Sequence, residues 1–156
     1  ELIFVIVIIG ILAAVAIPKL AATRDDAKIS SIVANTKTVL NDMKGFYTSQ
    51  GSEVWEEANT SITAVTDVPL FTDATCETAV TDSDGASGDT FYMCDETGGD
   101  DCVAITTTAT DVTIESDAGT DSVVCAAVSE DPAMVGIAGA VTVGKAHKLG
   151  GVTVVR

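Results

Sequence analysis

The chain opens with a continuous apolar stretch. Behind Glu1, residues 2–17 are all apolar or glycine, and Pro18 closes the run. A helix needs roughly 20 apolar residues to cross a bilayer core about 30 Å thick, so this run of sixteen is slightly short and only marginal as a membrane segment. A secretory leader begins with a basic region and ends at small residues. Because this run begins with an acid and continues into a helical pattern, we expect a retained stem, which we define as residues 1–18.

The pattern becomes amphipathic after the stem. Apolar residues recur at intervals of three and four positions, which predicts a helix with one buried face. They are Ile29, Ile32, Val33, Val39, Leu40, Met43, Phe46 and Tyr47. Gly51 is expected to end the helix. A helix over residues 1–50 would be about 75 Å long, so we expect residues 1–18 to project and residues 19–50 to pack under a domain formed by residues 51–156.

Gly10 and Pro18 mark the weak part of the predicted helix. Proline within a helix costs about 3 kcal/mol and glycine about 1 kcal/mol. A broken turn is tolerated at membrane depth only where protein surrounds it. We therefore hypothesise that residues 11–17 are helical in a membrane and lose helix when the stem enters a protein assembly.

The second part of the chain predicts a small antiparallel sheet. Short runs rich in Thr, Val and Asp are separated by the turn signals SDGASGD, DETGGDD and SDAGTD. We predict strands over residues 62–65, 90–94, 103–107, 112–115 and 122–128. Residues 129–156 have room for a short helix and a last edge strand, but their glycines leave the secondary structure of this tail open. Trp55, Phe46 and Tyr47 are expected to pack where helix meets sheet. The predicted fold class is α+β, with a long N-terminal helix packed on an antiparallel β-sheet domain.

The four cysteines all lie in this second part, at Cys76, Cys94, Cys102 and Cys125, with no zinc-binding spacing. An even count behind a membrane segment favours two disulfides and an oxidising compartment; the alternative is four reduced, buried thiols in a cytosolic protein. Three pairings are possible. Because Cys94 and Cys102 flank a turn-rich stretch, a bridge across a hairpin base is our first choice, which leaves Cys76 with Cys125.

Charge divides the chain in the same place. Residues 1–50 carry five basic and four acidic side chains, whereas residues 51–156 carry three and nineteen, giving +1 against −16. Nucleic-acid affinity comes largely from Lys and Arg that neutralise phosphates. We therefore expect no direct nucleic-acid binding by the acidic domain.

Glu1 is the one acid at the head of the apolar run. A charged side chain at membrane depth costs at least a few kcal/mol unless it is paired, and such residues usually have a function. The two interpretations are a paired carboxylate in an apolar surrounding and a carboxylate at a wet membrane interface.

The stretch ELIFVIVIIGILAAVAIP followed by an amphipathic helix resembles the N-terminal signature of type IV pilins and of the pseudopilins of type II secretion. Glu1, Gly10 and Pro18 match the glutamate, glycine and proline of that signature, and the resemblance covers roughly residues 1–50. In the family a tetrapeptide beginning with N-methylated phenylalanine precedes the glutamate, with which this sequence begins.

The resemblance implies a subunit that waits in the inner membrane and is then packed by a pilus assembly or secretion machinery into a helical homopolymer. It implies that the stems form the filament core, with Leu2, Phe4, Ile8 and Leu12 among the assembly residues. It also implies that Glu1 pairs with the N-terminal amine of a neighbouring copy. We therefore expect Glu1→Ala to impair assembly more than folding. A carboxylate that is paired with an amine is tolerated inside an apolar core, and the pair fixes the axial register of neighbouring copies.

Two further sites are weaker candidates. Asp82, Asp84 and Asp89 surround two glycines and supply oxygen ligands of the kind that Ca²⁺ prefers, although the spacing is not that of an EF-hand. A solvated acidic turn is the plainer interpretation, and Asp95, Glu96, Asp100 and Asp101 form a similar loop. Otherwise we expect no cofactor.

Asn59 stands in a sequon, Asn59-Thr60-Ser61, with Glu57 two residues before it. This arrangement resembles the extended acceptor of some bacterial oligosaccharyltransferases and makes Asn59 a possible glycosylation site.

Three functions fit the sequence. The first is a major pilin in an extracellular filament for attachment, motility or uptake. The second is the major pseudopilin of a type II secretion system, which acts in the periplasm. The third is a membrane-anchored binding module in which the stem is only an anchor. We expect no enzyme, because the sequence offers no nucleophile with an adjacent base.

Overall fold

The computed structural model describes residues 2–57, 60–96, 98–117, 122–139 and 143–150. These residues form helices and strands in an α+β arrangement, with a long N-terminal helix packed against a four-stranded antiparallel sheet. In chain order the elements are α1 (Leu2–Gln50), α2 (Ser52–Glu56), α3 (Ile62–Val65), β1 (Thr90–Cys94), β2 (Asp101–Thr107), β3 (Asp111–Ser116), α4 (Val123–Glu130), α5 (Pro132–Ala138) and β4 (Lys145–Lys148).

Helix α1 runs without interruption through Pro18 and ends at Gln50, directly before Gly51. Gly51 has a φ of 89°, a left-handed conformation that glycine adopts without a steric penalty. The inner face of the second half of α1 is buried at Ile32, Val33, Thr36, Val39, Leu40 and Met43. The hydroxyl of Thr36 is satisfied inside this face because it donates to the Ile32 carbonyl at 2.8 Å. The predicted amphipathic helix and its buried face are therefore confirmed.

The sheet is a meander in the order β1-β2-β3-β4, and every neighbouring pair is antiparallel. Its inner face alternates with its outer face along β1, where Phe91 and Met93 are buried. The bounds predicted for the strand of residues 90–94 are those of β1. The strand predicted over residues 103–107 begins two residues earlier in β2, and the one predicted over residues 112–115 extends by one residue at each end in β3. A bulge between Met93 and Cys94 shifts the register of β1 against β2, so that Cys94 lies opposite Asp101.

Two predicted strands are wrong. Residues 62–65 form the short helix α3, and residues 123–130 form α4. Both helices begin at a serine that caps them: Ser61 accepts a hydrogen bond from the Thr63 amide, and Ser122 accepts one from the Cys125 amide. Each serine side chain thus satisfies a backbone amide in the first turn of its helix, so that amide needs no partner in a neighbouring strand.

The structure supplies the secondary structure of the tail, which the sequence left open. Asp131 caps α5 through its side chain, which accepts from the amides of Ala133 and Met134, and Pro132 occupies the first helical turn. Strand β4 follows as the edge strand beside β3. Residues 151–156 lie outside the described residues.

A single hydrophobic core joins α1, the helices of the second part and the sheet. Helix α4 contacts both α1 and β2, while α5 packs on β3. Trp55 of α2 is fully buried, and its ring lies 6.4 Å from Phe46 and 6.2 Å from Tyr47. Its indole N–H donates to the Thr108 carbonyl in the β2–β3 turn at 2.8 Å. The predicted role of these aromatics at the junction of helix and sheet is confirmed.

Candidate functional site: the projecting stem of α1

The first half of α1 has no domain beneath it. Within the described part of the chain, sixteen large apolar side chains are exposed, and twelve of them belong to the stem. The exposed fraction is 75% for Leu2, 71% for Phe4, 42% for Ile8 and 64% for Leu12, the four residues expected to take part in assembly. The site is therefore an apolar rod, exposed on all sides, and not a cleft.

The exposed area is too large for a soluble monomer. Complete burial of one Val, Leu, Ile or Phe side chain is worth about 1.5–3 kcal/mol. For twelve side chains that are 42–76% exposed, covering the remaining area is worth on the order of 10–20 kcal/mol. Monomeric soluble proteins rarely leave such a contiguous apolar patch uncovered. The stem must therefore meet lipid, other protein chains, or each in turn.

The stem has the length and composition of a membrane anchor. The most apolar window of 18 residues in α1 has a mean hydropathy of 2.8, and none of it is buried inside the protein. Eighteen helical residues span about 27 Å, close to the thickness of a bilayer core. One long apolar N-terminal helix thus supplies a means of anchoring the chain in a membrane.

Gly10 and Pro18 both lie within continuous helix in this structure. The added Cβ of an alanine at Gly10 would meet nothing within 4 Å, so the glycine is not required by packing inside this chain. Pro18 removes one backbone donor from the helix. The isolated chain therefore has a helical segment 11–17, and its loss of helix in an assembly stays a prediction.

Two polar contacts join α1 to the rest of the domain, and sequence reasoning missed both. The Lys28 ammonium lies 3.3 Å from a Glu96 carboxylate oxygen. Farther along α1, the Thr66 hydroxyl donates to the Asp42 carboxylate at 2.8 Å. Both contacts join residues that are distant in sequence, so no local pattern could have revealed them.

The domain that carries the stem contains two disulfides, as expected, but the expected pairing is wrong. Cys76 is bonded to Cys94, and Cys102 is bonded to Cys125. The bulge in β1 places Asp101, and not Cys102, opposite Cys94. Since residues 123–130 are helical, Cys125 lies on α4 above β2, within bonding distance of Cys102.

Two carboxylates of the acidic Ca²⁺ candidate accept hydrogen bonds from threonines. Asp82 accepts from the Thr63 hydroxyl, and Asp84 accepts from the amide and hydroxyl of Thr81. Among the described residues, no group of three or more His, Cys, Asp or Glu side chains is placed to hold a metal ion. The binding of Ca²⁺ by Asp82, Asp84 and Asp89 stays a prediction.

In the second acidic loop, Asp95 accepts from the Asp100 amide and from the Ser122 hydroxyl, at 3.1 Å and 2.9 Å. These contacts tie the loop to the start of α4. Burial is the main cause that raises the pKa of the neighbouring Asp101 carboxyl, and the nearby charges of Asp117 and Asp100 raise it further. The loop thus contributes to the structure of the domain next to the Cys102–Cys125 bond.

Two predicted sites cannot be placed. Glu1, the expected partner of a neighbour's amine, and Asn59, the possible glycosylation site, both lie outside the described residues.

The chain matches no protein-family model, and no curated protein or solved structure matches it either. The architecture remains informative by itself. A long apolar N-terminal helix whose second half packs on a small antiparallel sheet is consistent with a pilin-like architecture.

Proposed function

We propose that this chain is the structural subunit of a helical filament, a major pilin of the type IV class. The observation that carries the proposal is the stem itself: twelve large apolar side chains, 42–76% exposed, project from a folded domain that does not cover them. In our proposal the inner membrane covers the stem before assembly, and the stems of other copies cover it in the filament.

The division of α1 supports this proposal. The buried residues of α1 all lie in its second half, whereas none of the described stem residues is buried. A stem that projects from a stable domain suits a subunit whose stems pack against those of other copies. Two disulfides in the domain fit an oxidising location outside the cytoplasm, and hence an extracellular filament at a bacterial surface.

The repeated contact must be heterologous. A self-complementary contact would close into a dimer, whereas a contact between two different surfaces of successive copies propagates as an open helix. Side chains surround the stem on all sides, so it can contact several neighbours at once. The partners of the chain are then other copies of itself and the machinery that extracts it from the membrane.

The test is to express the full-length precursor in a host that has a type IV assembly machinery, shear the cells, and examine the released material. We expect fibres in negative stain and this chain as their main component by mass spectrometry. Fibres confined to the periplasm would favour a pseudopilus. A chain that stays in the membrane fraction without fibres would refute the proposal and favour a membrane-anchored binding module.

Matched variants show whether the stem is responsible. Leu12→Ala keeps the stem apolar enough to insert, yet it removes contact area worth roughly 2 kcal/mol per copy, so we expect normal membrane levels and fewer fibres. Leu12→Asp should abolish fibres, because an unpaired carboxylate in an apolar core is strongly unfavourable. Val123→Asp is the control, since Val123 is 75% exposed on the domain. Equal losses at Leu12 and Val123 would contradict a role of the stem in assembly.

Glu1 supplies an independent test, based on the resemblance. We expect Glu1→Ala to leave the domain folded and inserted while reducing fibre yield. Normal fibre length and yield would show that the carboxylate is not buried against a neighbour's amine.

A further inference from the structure

Basic and acidic residues are segregated along this chain. Between Lys44 and Lys145 lie a hundred residues that contain nineteen Asp and Glu side chains and no Lys, Arg or His. Five of the eight basic residues belong instead to α1, at Lys19, Arg24, Lys28, Lys37 and Lys44. Soluble domains usually intersperse both signs on their surface. The acidic domain therefore has almost no cations of its own to balance it.

The fold does not bring most of these cations to the acids. Across the residues that the structure describes, the ion pairs are Lys28 with Glu96, at 3.3 Å, and Lys148 with Asp111, at 3.4 Å. On α1, Lys37 is exposed and Lys44 is half-buried, and neither makes an ion pair with a described carboxylate. Within the described part of the chain these two lysines thus have no carboxylate partner, and a group outside the chain can supply one.

Lys37 and Lys44 share one flank of α1. They are seven residues apart, which is about two helical turns or roughly 10 Å along the axis. Each follows a buried core residue by one turn, Val33 and Leu40 respectively. The two lysines therefore lie at the edge of the face with which α1 packs on its own domain. We call this pair the lysine flank.

We propose that the lysine flank binds the acidic domain surface of a second copy of this chain. The inference rests on the proposed filament, and charge complementarity selects the partner. Residues 51–156 carry a net charge of −16, and they belong to every copy. This contact joins the lysine flank of one copy to the acidic surface of another. Because the two surfaces differ, the contact propagates as an open helix together with the stem contacts.

The contact also answers a physical difficulty of the filament. Domains of such high like charge repel one another when the stems bring them close. Lysines placed at the boundary offset part of that repulsion and disfavour wrong orientations of neighbouring domains. A single exposed ion pair changes an association constant only about 1.4- to 5-fold. The lysine flank therefore orients the subunits, while the stem supplies most of the association free energy.

Carbodiimide coupling tests the proposal directly, because this reagent joins a lysine amine to a carboxylate only where the two are in contact. We would treat sheared wild-type filaments, separate monomer from covalent dimer on a denaturing gel, and map the links by mass spectrometry. Digestion must use a Glu-specific protease, since trypsin has no site between Lys44 and Lys145. The Lys28–Glu96 link within one chain is the positive control.

We expect links that occur only in the dimer to join Lys37 or Lys44 to carboxylates within residues 45–144. The double variant Lys37→Arg/Lys44→Arg keeps both charges but has no amines there, so it should assemble like wild type and lose those links. Lys37→Glu should raise the concentration of unassembled subunit in equilibrium with filaments about fivefold, the upper end expected for one exposed pair. Lys145→Glu makes the same change in charge at an exposed position on β4 and should stay within twofold of wild type.

The outcomes separate this inference from the proposed function. Absence of filaments in the wild type would overturn both. Normal filaments whose dimer-specific links involve neither Lys37 nor Lys44 would overturn the lysine flank alone. Equal filament losses for Lys37→Glu and Lys145→Glu would also overturn it, since net charge would then explain the effect.

Discussion

Removal of the disulfide between β2 and α4 tests the fold of the domain most sharply. The Cys102–Cys125 bond closes a loop with a sequence separation of 23, and the Cys76–Cys94 bond closes one of 18. Chain-entropy arguments assign loops of these sizes about 3.4 and 3.2 kcal/mol at 25 °C. We therefore expect Cys102→Ala/Cys125→Ala to lower the free energy of unfolding by about 3 kcal/mol while the domain stays folded.

The natural assay is urea unfolding of the full chain in detergent, followed by fluorescence. Trp55 is the only tryptophan, and it is fully buried beside Phe46 and Tyr47, so its emission reports on the domain and not on the stem. A lower midpoint with an unchanged slope would show a loss of stability without a change in the surface exposed on unfolding.

A second variant distinguishes the observed pairing from the one predicted from sequence. Cys94→Ala/Cys102→Ala removes one cysteine from each observed bond. It should cost about twice as much as the first variant and leave two thiols that react with Ellman's reagent in urea. The reasoning is refuted if this variant has no reactive thiol and is as stable as Cys102→Ala/Cys125→Ala, because Cys76 and Cys125 would then be paired.

Three further predictions follow from single positions. Pro18→Ala should strengthen α1 by about 3 kcal/mol, so we expect normal membrane insertion with a reduced yield of sheared fibres; an unchanged yield would show that the stem need not lose helix. Gly45→Ala, at an open helical position, should raise the free energy of unfolding by about 1 kcal/mol, and a lower urea midpoint would contradict this. Burial above all, together with the charges of Asp117 and Asp100, raises the pKa of the Asp101 carboxyl. The contribution of Asp101 to the stability of the domain is therefore fully present below the unfolded pKa near 4, and it is lost as the pH rises through the higher folded pKa. Asp101→Asn should therefore stabilise the domain at pH 7 and much less at pH 3, and equal shifts of the urea midpoint at both pH values would be the contrary result.

The sequence was most informative where one pattern extended over many residues. The three-and-four spacing from Ile29 to Tyr47 predicted α1 and its buried face, because a helix of this length can bury its apolar residues on one side only. The exposed stem followed from the same reasoning, since sixteen apolar or glycine residues in succession leave no polar face. The strand of residues 90–94 was bounded correctly because alternation and a flanking turn agreed there.

The errors arose where local pattern and tertiary contacts disagree. The β-branched residues at 62–65 and 122–128 favour strands on propensity, but serine caps begin helices at both places. The disulfide pairing depended on these helices and on the bulge at Met93 and Cys94, none of which the cysteine spacing reveals. The Lys28–Glu96 contact joins residues that are 68 positions apart, and the helical and strand periodicities of a sequence do not relate positions so far apart.

A helical reconstruction of purified fibres at a resolution that shows side chains tests the central claim most directly. We expect the fibre axis to be occupied by the stems of successive copies, with Leu2, Phe4, Ile8 and Leu12 in contact with neighbouring stems and the acidic domains outside. Fibres joined only through their domains, with the stems exposed or still in lipid, would contradict the account.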